Sequence, residues 1–285
     1  MFNWSWELRE QRDYLSPVGP NFDWAPTQHL YLNDTHISIK LPRQKTQLPV
    51  ERITLKGAWN LDALDYEFYE SNGVRRRSVA VFKRKWDFYG DWFTGKLGGI
   101  SMTANIITPM DMQEGLNYFH PRALEVGIAD QLTSWYGDDF YGDNPQQTWH
   151  APMNWRQCDN FPCLAARFEA VNTVVKSDGP DYYLFMPLTK THFLMLRCRI
   201  SRNAVFSDKR PEPTINEWID LAPFVKLIKQ VLDSVQVTLS LQAQADQEDA
   251  LRGSDDKTLV KDYPPVKWTA PPIIDDENWR DNFNG

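Results

Sequence analysis

Cysteine is scarce: Cys158, Cys163 and Cys198 are the three in a chain of 285 residues. So few, and an odd number, give no disulfide framework. Long apolar runs are also missing, and nothing approaches the ~20 residues that a membrane span requires. The opening residues lack a basic stretch followed by an apolar one, so no secretory signal is expected and a cytoplasmic setting is the default. Positive charge is in deficit, with 31 Lys and Arg against 38 Asp and Glu and a net charge of −7. Without a basic stripe the chain lacks the electrostatic footprint of a nucleic-acid binder. No internal repeat of 20 to 50 residues is found, which excludes solenoid and propeller arrays.

Catalytic signatures are missing as well. There is no Gly-x-Ser-x-Gly, no dinucleotide fingerprint and no Ser-x-x-Lys in a suitable setting. Gly90-Asp-Trp-Phe-Thr-Gly95-Lys96 matches the first seven positions of a P-loop, but Leu97 follows where Ser or Thr must hold magnesium. Bulky Trp92 and Phe93 stand where backbone amides would wrap phosphate, so a glycine-rich hairpin loop is the expectation. His120, His150, Cys158 and Cys163 are the one cluster worth weighing for metal, and their spacing matches no paired-ligand zinc pattern. Cys198 and His192 share one strand roughly 20 Å apart, too far for proton transfer. Neither a cofactor nor a metal is expected.

Aromatic residues are abundant, with 12 Trp, 11 Tyr and 15 Phe. They supply large contact areas for cores and interfaces. The organising stretch is Tyr182 to Ser240. Tyr182–Leu188 and His192–Ile200 flank a Thr189-Lys190-Thr191 turn at hairpin spacing. Phe193 to Leu196 are apolar on both faces, which places that strand inside the sheet. Trp218, Leu221, Ala222, Val225, Ile228, Leu232 and Val235 form a helical stripe, with Thr214 and Glu217 at capping-box spacing. Pro223 confines the main run to Phe224–Asp233. Ser234–Ser240 then reads as a last strand.

Further strands are expected at Thr35–Leu41, Glu51–Trp59, Arg75–Trp86, Ile100–Thr108 and Phe161–Val171 and a helix at Pro121–Tyr136, while Ala63–Glu70 fits helix and strand about equally. Within Arg75–Trp86, Val79 and Val81 should share one face, with Ser78, Ala80 and Phe82 on the other. Phe88–Gly99 is expected as a loop. The fold class that follows is α+β: an antiparallel sheet of about six to eight strands packed with two main helices. Three segments are expected: 1–34, an aromatic docking segment with little regular structure; 35–242, a single domain; and 243–285, an acidic, proline-rich tail. From Ala243 onward ten acidic residues face five basic ones. Pro264, Pro265, Pro271 and Pro272 preclude regular elements, and the tail is either extended and docked through Trp268, Ile273, Ile274, Trp279 and Phe283 or disordered.

Aromatic-Gly-Asp recurs at Tyr89-Gly90-Asp91, Tyr136-Gly137-Asp138 and Tyr141-Gly142-Asp143. With Trp92 and Trp135, these loops are the candidate binding surface. Their plainer role is to end elements and turn the chain.

The strand ending in Ile39-Lys-Leu41-Pro42, the element order, and the closing helix that runs into Asp233-Ser234-Val235 resemble the PsbP-like α/β/α sandwich over about residues 35 to 240. The extrinsic photosystem protein and a Ran-binding import factor are members. The resemblance implies a non-catalytic protein-binding module, and some bacterial immunity proteins against secreted toxins look similar. No motif anchors a functional residue, so none is carried over. The function expected is a non-enzymatic protein-interaction module of immunity or carrier type, whose acidic tail suits a basic partner. The alternative is a protein or enzyme for a carbohydrate or other small polar ligand, using the aromatic-Gly-Asp loops.

Overall fold

In the computed structural model, residues 15–46, 53, 57–90, 94–111, 114–141, 146–174, 179–202 and 218–269 are described. The strands are β1 (Thr27–Leu32), β2 (Thr35–Lys40), β3 (Ala58–Trp59), β4 (Glu67–Ser71), β5 (Val74–Tyr89), β6 (Lys96–Pro109), β7 (Phe140–Tyr141), β8 (Gln146–Gln147), β9 (Trp149–Gln157), β10 (Ala166–Asn172), β11 (Asp181–Pro187), β12 (Phe193–Arg202) and β13 (Gln236–Thr238). The helices are α1 (Pro121–Tyr136), α2 (Ala222–Asp233) and α3 (Leu241–Leu251). A seven-stranded antiparallel sheet runs β4-β5-β6-β12-β11-β10-β9, and a four-stranded sheet runs β13-β2-β1-β3. The fold is α+β, as the periodicities require.

The β11–β12 hairpin pairs Pro187 with Phe193 and Tyr182 with Cys198 around the expected turn. β12 is the middle strand of the seven. Because its side chains alternate, it feeds two cores at once. Phe193 and Met195 join one core with Leu124, Ile128 and Leu132 of α1. Leu194, Leu196, Cys198 and Ile200 join the other, with Phe224, Ile228 and Val231 of α2 and the inner face of the small sheet. The large sheet therefore lies between α1 on one side and α2 with the small sheet on the other. At roughly 2 kcal/mol per large side chain, the three named residues of α2 contribute about 6 kcal/mol of gross burial.

Four local expectations change. β5 carries a bulge between Ala80 and Phe82, and the extra residue reverses the face of everything after it. Val81 and Phe82 consequently enter the same core. Half of Phe88–Gly99 is strand, since β5 runs to Tyr89 and β6 starts at Lys96. Gly98 sits so close to β12 that an added Cβ would stand 2.3 Å from the Ser201 carbonyl oxygen. Thr27–Leu32, inside the segment expected to be irregular, is a strand paired with β2, and it buries Leu30 and Leu32. α3 occupies residues expected to be irregular, and Ala243 joins the core. The final strand exists, but it pairs with β2 in the small sheet. The capping-box pair Thr214 and Glu217 lies outside the described residues.

Candidate functional site

α1 starts cleanly because the His120 ring accepts the Arg122 amide and Pro121 needs no partner for its nitrogen. It lies along the large sheet with Leu124, Ile128 and Leu132 facing down. Between α1 and the edge strand β9 the sheet leaves a furrow walled by Tyr136, Trp149, Trp155 and Phe168. Tyr136 stacks on Trp149 at 4.5 Å, and Trp155 stacks on Phe168 at 5.6 Å. The Trp149 indole donates to Asp139 Oδ2 at 2.7 Å, which fixes its ring.

The segment 254–269 lies in this furrow without a regular element, bending at Asp255, Thr258 and Lys261 and running on without a further bend from Asp262. Leu259 is buried in the α1-side core. Side chains of the furrow hold the backbone of the segment. Gln157 Oε1 accepts the Leu259 amide at 2.8 Å and Glu125 Oε1 accepts the Val260 amide at 2.7 Å. The Trp155 indole donates to the Val260 carbonyl at 2.8 Å. The Gln147 amide group works in both directions, donating to the Val266 carbonyl at 2.9 Å and accepting from the Trp268 amide at 3.2 Å. Val266 N donates to the Ala151 carbonyl at 2.8 Å, a main-chain contact on the open edge of β9. Aromatic rings anchor the ends of the Pro264-Pro265 pair. Tyr263 lies 4.9 Å from Trp155, while Trp268 lies 6.3 Å from Tyr136 and donates its indole to Thr133 Oγ1 at 3.0 Å. Ion pairing of Arg122 with Glu125 and Asp256 closes the other end.

Beneath the furrow is a buried polar cluster. Arg197 gives Nε and Nη2 to one oxygen of Asp181, at 2.9 and 2.6 Å. The Tyr136 hydroxyl donates to the same oxygen at 3.3 Å and is hydrogen-bonded to the Tyr183 hydroxyl. Burial pushes both phenols up, so they stay protonated and act as neutral donors. Trp135 covers the guanidinium, its ring 4.5 Å away. Every polar contact here is spent on holding the end of α1 to β11 and β12, which makes the cluster a rigid floor for the furrow.

Of the sequence candidates, Trp135, Tyr136, Asp138 and Tyr141 cluster at the end of α1. Trp135 and Tyr136 belong to the floor and wall just described, whereas Asp138 and Tyr141 are exposed. Tyr89 stands elsewhere: from Arg76, which pairs with Asp130 of α1, to Tyr89 the strand runs roughly 40 Å. Its backbone bonds to Val18, and Lys45 lies over its ring. Asp91, Trp92 and Asp143 lie outside the described residues. The P-loop-like stretch is a hairpin end in which Gly90 N bonds to the Gly95 carbonyl, and Lys96 is held by Asp87 at 2.9 Å. Among the described residues no group of three His, Cys, Asp or Glu could hold a metal ion. Burial raises all three thiols, Cys163 to about 12, so the thiolate is scarce at neutral pH. No helix among the described residues is long and apolar enough to cross a membrane.

The residues that sequence reasoning missed are Gln147, Trp149, Trp155 and Glu125 on the furrow, and Val260, Tyr263 and Val266 on the segment. One signal was present: Tyr263-Pro-Pro-Val-Lys-Trp268 places two aromatic residues around a proline pair, the pattern of a segment made to lie extended. Compared with known proteins, the chain matches no family model, no curated protein and no solved structure.

Proposed function

We propose that this chain is a non-enzymatic protein-interaction module whose furrow between α1 and β9 reads extended, proline-containing segments flanked by aromatic residues. The observation that carries the reading is how 254–269 is held: Gln147, Trp155, Gln157 and Glu125 bond to its backbone, not to its side chains. Backbone-directed bonds with aromatic pockets at intervals are how peptide-reading domains accept a family of sequences. A sugar-binding role for Tyr136 is disfavoured, because Trp149 and Trp268 occupy its surroundings. The PsbP-like resemblance, with its immunity or carrier type of role and a basic partner, fits this proposal. It rests on the order of elements, the strand that ends in Leu41-Pro42 and the helix that runs into Asp233-Ser234-Val235.

The chain's own segment competes with any partner. A tethered ligand acts at an effective concentration of about 1 mM, so an intrinsic dissociation constant of about 10 μM would weaken a foreign segment roughly 100-fold. The test is fluorescence anisotropy with a labelled peptide copying residues 257–269, added to the full chain and to the Tyr263→Ala/Trp268→Ala variant. The variant, whose own segment is loosened, should bind at least ten times tighter than the unaltered chain. Adding Trp155→Ala should remove most of that gain. If hydrogen exchange shows 258–268 released in the variant and the peptide still binds no better than a scrambled one, the furrow is not a reader and the proposal fails.

A further inference from the structure

The sheet face away from α1 carries a second feature, separate from the furrow. A cavity of about 190 Å³ opens there between α2 and the strands β9, β10 and β11. Arg167 lines it and is 7% exposed; Arg156 and Lys229, both exposed, stand at its rim. The register of β9 and β10 sets Arg156 directly opposite Arg167. Like charges directly across a strand pair are destabilising, and Lys229 adds a third from the helix above. A structural purpose accounts for only part of this. Arg167 pairs with Asp233 and donates to the Leu232 carbonyl, which covers the negative end of α2. Holding that helix end needs neither Arg156 nor Lys229, and among the described residues neither has an ion pair. Arg167 Nε is buried with no partner. The carboxylate lining the cavity, Glu169, accepts from Asn154 Nδ2 at 2.9 Å.

We infer that this cavity is a binding site for a small tetrahedral oxyanion of the phosphate type. Three cations on three elements surround it against a single lining carboxylate. A planar carboxylate is served by one arginine fork, whereas a tetrahedral anion offers oxygens to donors arriving from several directions. The volume equals that of roughly six waters, enough for phosphate or sulfate with part of its shell and below the range of drug-sized ligands.

Thermal unfolding of the full chain in 20 mM inorganic phosphate, against sodium chloride at equal ionic strength, tests the site. Phosphate should raise the midpoint by about 3 °C. Arg156→Gln and Lys229→Gln, which alter exposed rim residues and leave the Arg167 anchor intact, should each remove at least half of that rise. Glu169→Gln, which removes the one repelling charge, should enlarge it. Titration calorimetry with phosphate should rank the four proteins in the same order. No rise over chloride, or a rise unchanged in both rim variants, overturns the inference. So does a Glu169→Gln protein that loses the phosphate response, because removing the one repelling charge must favour an anion held by those cations.

Discussion

His192 sits at the start of β12, buried, with Nδ1 placed 2.9 Å from Thr189 Oγ1 and 3.1 Å from Thr191 Oγ1. The two hydroxyls and the ring close the central hairpin turn, which gives the residue a structural place. Burial lowers its pKa below the ordinary 6.5, with Asp62 opposing and Arg77 assisting. The folded state therefore prefers the neutral ring, while the unfolded chain takes up a proton near pH 6.5. The stability this contributes is complete above about pH 6.5 and is lost as pH falls through the folded value. The slope is at most about 1.4 kcal/mol per pH unit. Urea midpoints measured between pH 8 and pH 5 should fall through the lower half of that window. In His192→Asn, whose amide nitrogen can occupy the Nδ1 position without titrating, the curve should flatten. A wild-type midpoint that stays level from pH 7 to pH 5 would show that the ring is not held neutral.

Elements differ in how much of themselves they write into the sequence. α1 and α2 bury long apolar side chains at three- and four-residue intervals, and that spacing finds them within a residue or two. α3 buries only Ala243 and Asp246, so no stripe betrays it. Its helicity comes from Ala, Gln, Glu and Leu, which are good helix formers, and from one cap, the Ser240 hydroxyl that accepts the Ala243 amide at 3.1 Å. Ser240→Ala should cost about 1 kcal/mol in urea unfolding and should speed amide exchange over 243–251 before it affects α2. An unchanged exchange rate there would mean that packing of Ala243 alone holds the helix. β9 escaped for a different reason: Pro152 and the register shifts against β10 interrupt its alternation. An edge strand tolerates both, because one side has no ladder to keep. The furrow was hidden for the same reason as β9. Its walls come from Gln147, Trp149 and Trp155 on that strand and its approach, and its occupant lies more than a hundred residues later. Nothing local in either stretch signals the other, whereas the aromatic-Gly-Asp repeats are conspicuous in sequence and yet Tyr89 stands apart from Tyr136.

The whole molecule is two cores that share one sheet, and β12 is the strand both depend on. Met195 and Leu196 are neighbours in sequence, each fully buried or nearly so, yet Met195 faces α1 and Leu196 faces α2 and the small sheet. A strand displaced to serve one core is displaced for the other, so the two layers should not come apart separately. Met195→Ala and Leu196→Ala should each cost about 2–5 kcal/mol, the range for truncating a large buried side chain. The distinguishing prediction concerns cooperativity. Trp149 and Trp155 lie on the α1 side and Trp86 on the other. Tryptophan fluorescence of single-tryptophan reporters on each side should therefore report one coincident urea transition in both variants, with the midpoint lowered and the slope unchanged. If Met195→Ala lowered the α1-side transition and left the Trp86 signal in place, the layers would be separable units. The rigidity attributed to the floor of the furrow would then be local to α1, and binding of a segment there could not be felt across the sheet.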